Sequence, residues 1–217
     1  HDPPVDYAVA CHLWPGLPSG TLGVKPGVLM AATTVFEIEI IGRGGDGAMP
    51  HQCVDALDTA AQGVNALQRV VSRKLNPLTP SVVTVGSLHA GSAPNTIPGK
   101  AVLTGTTRTY DKAVWHNFPK IMEPVVKGVC DAMGASYRFA LIPGYPPLEN
   151  DPGMVDIMKK TMLKVVGQER VMEPESTMGG EDMAFVFEKT KGCYFFIGSG
   201  YDGCVPLHNS NFDFDES

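Results

Sequence analysis

Eight polar side chains in this sequence have the types and positions that suit chemistry at a site. They are His12, Asp46, His51, Asn95, Arg108, Glu181, Asp182 and His208. His12 and His208 each lie where an apolar strand pattern gives way to a loop. Imidazoles at strand ends, with carboxylates elsewhere, are typical ligands of zinc, manganese or cobalt. The alternative for each histidine is an ordinary hydrogen bond within its loop.

The other polar candidates also have two interpretations each. Arg108 lies in the middle of a threonine-rich strand, where it either rests on a solvated sheet face or clamps a carboxylate with two hydrogen bonds. Asn95, between two prolines, is either a turn former or an amide donor to a developing oxyanion. Glu181 and Asp182 have the positions of acids that a helix dipole favours. Residue types alone favour the turn and helix-start interpretations for Asn95, Glu181 and Asp182.

A glycine turn at residues 42–51 separates a strand pattern at 33–41 from a helix pattern. Its four glycines at 42, 44, 45 and 47 permit backbone conformations that side chains forbid. The turn contains one acid, Asp46, and ends at His51. We therefore expect it to bring a backbone or short side chain close to a ligand.

Residues 33–143 follow the order β-α-β-β-α-β, which is typical of a ferredoxin-like module with both helices on one face of an antiparallel sheet. Its first helix is expected within 52–74, with a buried stripe at Val54, Leu57, Ala61, Val64, Leu67 and Val71. Asp111 is expected to cap the second helix. The fold class is thus α/β, with a ferredoxin-like domain at 33–145 inserted between 1–32 and 146–217. Strands at 7–13 and 193–198 are predicted to be buried, the first on both faces.

Composition excludes several classes of protein. The net charge of −6 and the absence of a Lys/Arg run argue against a nucleic-acid partner. No apolar stretch reaches the roughly 18 residues of a membrane span. Five scattered cysteines without a CxxC pair indicate a reducing compartment, and we expect a cytoplasmic protein. The chain begins at His1 rather than Met, so we expect it to be processed or a piece of something longer.

Six stretches together resemble the amidohydrolase branch of the two-metal aminoacylase/carboxypeptidase family. They lie at 12–20, 42–51, 91–98, 105–109, 178–182 and 206–208, in the family's order, and cover nearly the whole chain. That branch includes hippurate hydrolases, N-acyl-L-amino-acid amidohydrolases and plant auxin–amino-acid conjugate hydrolases. The resemblance implies a metal-binding α/β catalytic domain, interrupted by a ferredoxin-like lid that also forms a homodimer.

The resemblance also implies a site and a reaction. The matching residues are His12 and His208 for two divalent metals (Zn, Mn or Co), Asn95 and Arg108 for the substrate carbonyl or carboxylate, and Gly179 and Gly180 in a loop lining the site. Family members hydrolyse the amide of N-acyl amino acids or dipeptide-like substrates. A glutamate deprotonates a water between the metals, and lid donors, partly from the other subunit, stabilise the oxyanion.

Two departures from the family pattern bear on activity. The family's other metal ligands and its glutamate base lie in a segment that would precede His1. We therefore expect an incomplete metal site and a fragment or degenerate chain that is inactive alone. The second departure is Asp46, which stands where the family has the histidine that donates to the oxyanion. An ionised aspartate cannot donate a hydrogen bond, and losing such a donor costs roughly 100- to 1000-fold in rate.

Two hypotheses follow from the sequence. The first is an N-acyl-amino-acid amidohydrolase; the second is a non-catalytic dimerising or carboxylate-binding module that retains Arg108 and Asn95. An upstream reading frame with the missing ligands would favour the enzyme, and a native start near His1 would favour the module.

Overall fold

A computed structural model describes residues 4–214 of the chain. It divides into two compact units. One unit combines the residues up to Ala31 with those from Pro147 onward, and the other is Ala32–Pro146. Each unit has its own hydrophobic core.

The strands, in chain order, are β1 (Tyr7–Pro18), β2 (Leu22–Gly23), β3 (Gly27–Met30), β4 (Ala32–Ile41), β5 (Gly45–Asp46), β6 (Ser81–Ala90), β7 (Thr96–Ile97), β8 (Lys100–Thr109), β9 (Ser136–Pro143), β10 (Leu148–Asn150), β11 (Val171–Met172) and β12 (Lys191–Gly200). The α-helices are α1 (Ala56–Arg69), α2 (Lys112–Met133), α3 (Pro152–Val166) and α4 (Met183–Phe187). Short 3-10 turns lie at Pro50–Gln52 and Gln168–Arg170, and a π-helical turn, Val70–Lys74, continues α1.

The Ala32–Pro146 unit is built on a four-stranded sheet of order β6-β8-β4-β9, in which every neighbouring pair is antiparallel. Alternation along β4 sends Phe36, Ile38 and Ile40 to the inner face, where they are at most 1% exposed. Both α1 and α2 pack on that face. The opposite face carries Val35 and Glu37 and is open.

The two helices of this unit begin at aspartate caps. The Asp55 carboxylate accepts from the backbone N–H groups of Leu57 and Asp58 at 2.8 and 3.0 Å. Asp111 caps α2 as predicted, accepting from the backbone N–H groups of Ala113 and Val114 at 2.7 and 3.0 Å. Each cap satisfies helix N–H groups that lack a partner within the helix.

The predicted buried stripe is correct at Leu67, which is buried, and at Val64 and Val71, which pack against the core, but it is wrong at Leu57 and Ala61. The buried positions are Ala56, Thr59, Ala60, Gly63 and Leu67, whereas Leu57 is 41% exposed and Ala61 is exposed. Small side chains on the buried face let the helix approach the sheet closely. A Cβ added to Gly63 would already lie 3.7 Å from Leu103 Cδ1. Close packing, not the size of the apolar side chains, therefore decides which face is buried.

The other unit contains a sheet of order β1-β12-β2-β11, in which β12 is the one partner of β1 among the described residues and runs parallel to it. The prediction that residues 7–13 are buried on both faces is wrong, because Tyr7 and Val9 are 59% and 48% exposed. β1 is an edge strand, and nothing within residues 4–214 covers this face. The interior strand β12 is buried as predicted, with Cys193 and Phe196 at 0% exposure.

Candidate functional site

His12 lies in β1 with its ring oriented by a backbone carbonyl and an aromatic neighbour. Nδ1 lies 2.6 Å from the Leu13 carbonyl oxygen, which can only accept, so Nδ1 carries the proton. This tautomer leaves the Nε2 lone pair free, as in metal-bound histidines. Trp14 packs edge-on against the imidazole at 6.4 Å and stacks on Phe196 at 4.3 Å. The ring is thus prepared to act as a ligand.

His208 has a strained backbone. Within residues 4–214 it is the only non-glycine residue with a positive φ, which is 66°. A left-handed conformation costs a residue with a side chain on the order of 1–3 kcal/mol, and such strain clusters at functional sites. Histidine is among the side chains found more often at positive φ, but its residue type alone does not identify which position adopts this conformation.

The glycine loop at 179–180 is tied to the core through its neighbour Glu181. The Glu181 carboxylate accepts from the Tyr194 hydroxyl at 2.6 Å and from the Met183 backbone N–H at 3.4 Å, at the start of α4. Tyr194 is 2% exposed, and its burial, followed by the bond to Glu181, raises the pKa of its phenol. Glu181 therefore acts at a helix start, as its residue type indicated. Sequence reasoning missed Tyr194, although a tyrosine in an apolar strand needs a hydroxyl partner.

Asp182 occupies the N-cap position of α4 but makes no capping hydrogen bond through its side chain. Gly179 is held by the backbone and by one hydroxyl. Its carbonyl accepts from the Ala31 N–H at 2.9 Å, and its N–H donates to Thr177 Oγ1 at 3.2 Å. These bonds fix the loop that contains Gly179 and Gly180 beside β3.

The glycine turn and the Asn95 loop form one structure. Short strands β5 and β7 pair antiparallel, with Asp46 opposite Thr96. The Gly47 N–H donates to the Asn95 carbonyl at 2.8 Å. Gly44 has to be glycine, because an added Cβ would lie 2.6 Å from the Ile97 carbonyl oxygen. The turn therefore places Asp46 and Asn95 side by side.

Asp46 is exposed, and its carboxylate accepts from the Ala48 backbone N–H at 2.9 Å. Such an Asx turn stabilises the backbone locally. An ionised carboxylate offers no donor to a substrate. His51 lies in the 3-10 turn that follows, exposed, with Nε2 3.5 Å from the Gln52 amide nitrogen.

Arg108 is partly buried on the open face of the β6-β8-β4-β9 sheet. Its Nη1 donates to the Thr106 hydroxyl oxygen and, at 3.0 Å, to the Thr107 carbonyl. Nε and Nη2 have no acceptor within residues 4–214, and no carboxylate in that range pairs with the guanidinium. Partial burial lowers the pKa of the Arg108 guanidinium from its ordinary value. An unpaired, partly desolvated guanidinium with one free edge suits a planar anion.

The predicted site residues form separate groups. Asp46 and Asn95 lie together, just before β8 begins at Lys100, whereas Arg108 lies near the other end of that strand. Arg108 is eight positions after Lys100 along the strand, which is about 27 Å at the usual rise. His12, His208, Gly179 and Gly180 belong to the other unit. In the part of the chain that the structure describes, no three His, Cys, Asp or Glu residues form a group that could hold a metal.

The profile of Peptidase family M20/M25/M40 matches residues 1–217. The chain belongs to this family. Its similarity to an N-acyl-L-amino acid amidohydrolase of Geobacillus stearothermophilus is 46% identity over 146 residues, covering 67% of this chain and 40% of that protein. Similarity to the N-acetyl-L-cysteine deacetylase of Bacillus subtilis is 34% identity, covering 98% of this chain and 50% of that protein.

A solved M20 structure shares the fold. The YXEP protein of Bacillus subtilis, described as a dinuclear metal-binding peptidase, superposes with a TM-score of 0.79 at 30% identity. The superposition covers 97% of this chain and 52% of that one. The chain thus spans about half the length of the relatives it matches. The similarity extends across the α/β unit and the antiparallel unit alike.

Proposed function

We propose that this chain belongs to an enzyme that hydrolyses the amide bond of N-acyl amino acids with the help of divalent metal ions. Membership of an M20 family with amidohydrolase and deacetylase relatives supports the reaction class. The free edge of Arg108 is the observation that supports the substrate class. N-acyl amino acids and dipeptide-like substrates carry a carboxylate beside the scissile amide, and a guanidinium edge binds it with two parallel hydrogen bonds.

His12 and His208 are the residues whose chemistry suits a divalent ion such as Zn, Mn or Co. The free Nε2 of His12 and the strained backbone of His208 support this assignment. Two imidazoles do not complete a metal site, and residues 4–214 contain no group of three His, Cys, Asp or Glu residues that could hold a metal ion. We therefore assign substrate binding to Arg108 and metal ligation to His12 and His208, and we describe no reaction step at the metal.

We propose that the Ala32–Pro146 unit is a ferredoxin-like lid, corresponding to the domain predicted at 33–145. Its sheet order and its two helices on one face support this assignment. The remaining chain, predicted as 1–32 with 146–217, would then be part of the α/β catalytic domain, with Gly179 and Gly180 lining its site.

The lid also carries a surface that suits a homodimer. β6 is an edge strand of the sheet, and no strand within residues 4–214 pairs with its outer side. Beside it runs a shallow, mostly apolar groove of about 400 Å³, lined by Ala61, Val64, Val85, Gly86, Ser87 and Leu88. A second copy paired along β6 would cover this groove.

The separation of Asn95 and Arg108 supports the same dimer. About 27 Å of strand lies between their ends of β8, too far for both to reach one small substrate. A two-fold axis beside β6 would bring the Asn95 end of one copy towards the Arg108 end of the other. Asn95 would then donate to the substrate carbonyl in trans.

The alternative is a non-catalytic dimerising or carboxylate-binding module. The acceptor-only Asp46 and the lack of a metal-binding group in residues 4–214 favour it. Either protein fits a cytoplasmic location, which the five free cysteines support. In residues 4–214, no helix is both long enough and apolar enough to cross a membrane.

Hydrolysis of N-acetyl-L-methionine decides between these functions. The natural polypeptide that contains these residues is assayed with and without Zn²⁺, Mn²⁺ or Co²⁺, together with Arg108→Ala. Loss of a charged hydrogen-bond pair should raise KM by roughly 10- to 100-fold. Arg138→Ala is the matched control, because Arg138 lies on the same sheet but pairs with Glu39 at 3.2 Å.

Metal-dependent release of methionine that Arg108→Ala weakens and Arg138→Ala does not would support the enzyme. Saturable binding of N-acetyl-L-methionine without turnover under any metal would favour the module. Hydrolysis with an unchanged KM in Arg108→Ala would refute the role of Arg108 as the carboxylate clamp.

A further inference from the structure

Thr106 makes two hydrogen bonds on the open face of the lid sheet. Its hydroxyl proton points to the Thr34 carbonyl oxygen, 2.8 Å away on β4. Because that carbonyl can only accept, the lone pairs of Thr106 Oγ1 are left for the Arg108 Nη1 donor. The donor-to-acceptor direction of these two hydrogen bonds is therefore fixed: Arg108 donates to Thr106, and Thr106 donates to Thr34.

The segment of β4 that contains Thr34, the last acceptor in this series of hydrogen bonds, is itself anchored. The Trp115 indole N–H donates to the Thr33 carbonyl at 3.1 Å and to Thr34 Oγ1 at 2.9 Å. These bonds tie the start of β4 to α2. The acceptor that orients the Thr106 hydroxyl thus lies on a segment held from both the sheet and the helix.

Both hydrogens of Arg108 Nη1 are used, one by Thr106 and one by the Thr107 carbonyl at 3.0 Å. Rotation of the guanidinium about its Nε–Cζ and Cζ–Nη bonds is therefore restrained. The edge formed by Nε and Nη2 remains, and its two parallel N–H groups match the two oxygens of a carboxylate. A guanidinium held in this way loses less conformational entropy when the anion binds.

We propose that Thr106 is a positioning residue, which fixes the Arg108 guanidinium so that its Nε–Nη2 edge receives the substrate carboxylate. This inference rests on the proposed function for its ligand, although the positioning itself can be measured without turnover. Thr106 touches Arg108 and not the substrate. Its effect should therefore fall on carboxylate binding and KM, while kcat is unchanged.

The test compares Thr106→Val with Thr106→Ser in the whole chain. Valine keeps the β-branched shape without the hydroxyl, and serine restores the hydroxyl. Thr104→Val is the matched control, because Thr104 lies on the same strand and face but its hydroxyl pairs with Ser87 at 2.6 Å. Guanidinium NMR resonances of Arg108 report the restrained rotation, and a titration with N-acetyl-L-methionine reports carboxylate binding.

In the wild type and Thr106→Ser we expect distinct Nη resonances for Arg108, which merge in Thr106→Val as rotation becomes fast. Affinity for N-acetyl-L-methionine should fall about 3- to 10-fold in Thr106→Val, the effect of one hydrogen bond. Affinity for its primary amide, which lacks the carboxylate, should not change. KM in the metal-loaded natural protein should rise by the same factor as the loss of affinity.

Arg108 resonances that stay distinct in Thr106→Val would overturn the proposal. Equal losses in Thr106→Val and Thr104→Val would also overturn it, because they would indicate general damage to the strand. If the wild type neither binds nor hydrolyses N-acetyl-L-methionine, the proposed function fails. The Nη resonances would then decide alone whether Thr106 positions the guanidinium.

Discussion

Replacing Asp46 by histidine tests what the glycine turn does. Asp46 is exposed at the tip of the turn, and its side chain makes one hydrogen bond within residues 4–214, in which the carboxylate accepts from the Ala48 N–H at 2.9 Å. Two backbone bonds hold the turn independently of this side chain: Gly47 N–H to Asn95 at 2.8 Å, and Met49 N–H to the Asp46 carbonyl at 2.9 Å. The substitution should therefore leave the turn in place.

The expected magnitude follows from these bonds. Losing the Asx-turn bond costs the fold about 0.5–1.5 kcal/mol, which a domain tolerates. If residue 46 faces the oxyanion, as the family resemblance implies, replacing a repelling carboxylate by a hydrogen-bond donor should raise kcat roughly 100- to 1000-fold. Asp46→Asn is the matched variant. It keeps an acceptor for the Ala48 N–H, removes the charge and adds a weaker donor, so its gain should be smaller.

The assay is methionine release from N-acetyl-L-methionine by the metal-loaded natural polypeptide, with the melting temperature recorded for each variant. The expected order of kcat is histidine, then asparagine, then aspartate. Suppose that Asp46→His stays folded and binds the substrate, yet turns over no faster than the wild type. The turn would then not deliver residue 46 to the oxyanion, and the reasoning from its position would be refuted.

Two further predictions concern assembly and pH. Ala61→Glu places a charge in the groove beside β6 and should convert a dimer to a monomer in sedimentation velocity. Ala113→Glu, at an exposed position of α2, should leave the dimer intact. A monomeric wild type, or a dimer that survives Ala61→Glu, would contradict the proposed interface. The buried Cys193 thiol should resist iodoacetamide at pH 8 while the exposed Cys11 reacts. The free energy of unfolding of the wild type should decrease above pH 9, and that of Cys193→Ala should decrease less steeply. Equal slopes in the two proteins would contradict a raised pKa for the Cys193 thiol.

The direction of this pH effect follows from the burial of Cys193. Burial raises the pKa of its thiol from the ordinary value of 9.0 to about 11. As pH rises, the unfolded thiol loses its proton first and the folded one later, so ionisation favours unfolding in between. The contribution is fully present below pH 9 and is lost as the pH approaches 11. Tyr194 acts in the same direction at higher pH, since burial and Glu181 raise its pKa.

Much of the Ala32–Pro146 unit could be predicted from the sequence, because strand and helix periodicities are local. Phe36, Ile38 and Ile40 alternate in the sequence with Val35 and Glu37, and this alternation matches the inner and outer faces of β4. The buried face of α1 could not be predicted in this way. It depends on how closely small residues let the helix approach the sheet, which is a property of tertiary packing.

The site shows the same division. A carboxylate clamp was one of the two roles that its residue type allowed for Arg108, and the anchoring of its guanidinium depends on Thr106 and on a strand carbonyl that the pleat brings beside it. The partners Glu181 and Tyr194 are 13 residues apart and belong to different elements. Contacts of this kind arise only when the chain folds, so no spacing rule reveals them. The strained φ of His208 is also invisible in the sequence.

The distance between Asn95 and Arg108 along β8 has a genetic consequence. On the proposed dimer, each centre takes Arg108 from one copy and Asn95 from the other. A chain defective only at Arg108 and a chain defective only at Asn95 would each be inactive in a pure dimer. When both are produced in one cell, every mixed dimer would contain one centre with both defects and one with neither. Two loss-of-function alleles of this gene would then complement each other, and their positions would mark which residues act across the two-fold axis.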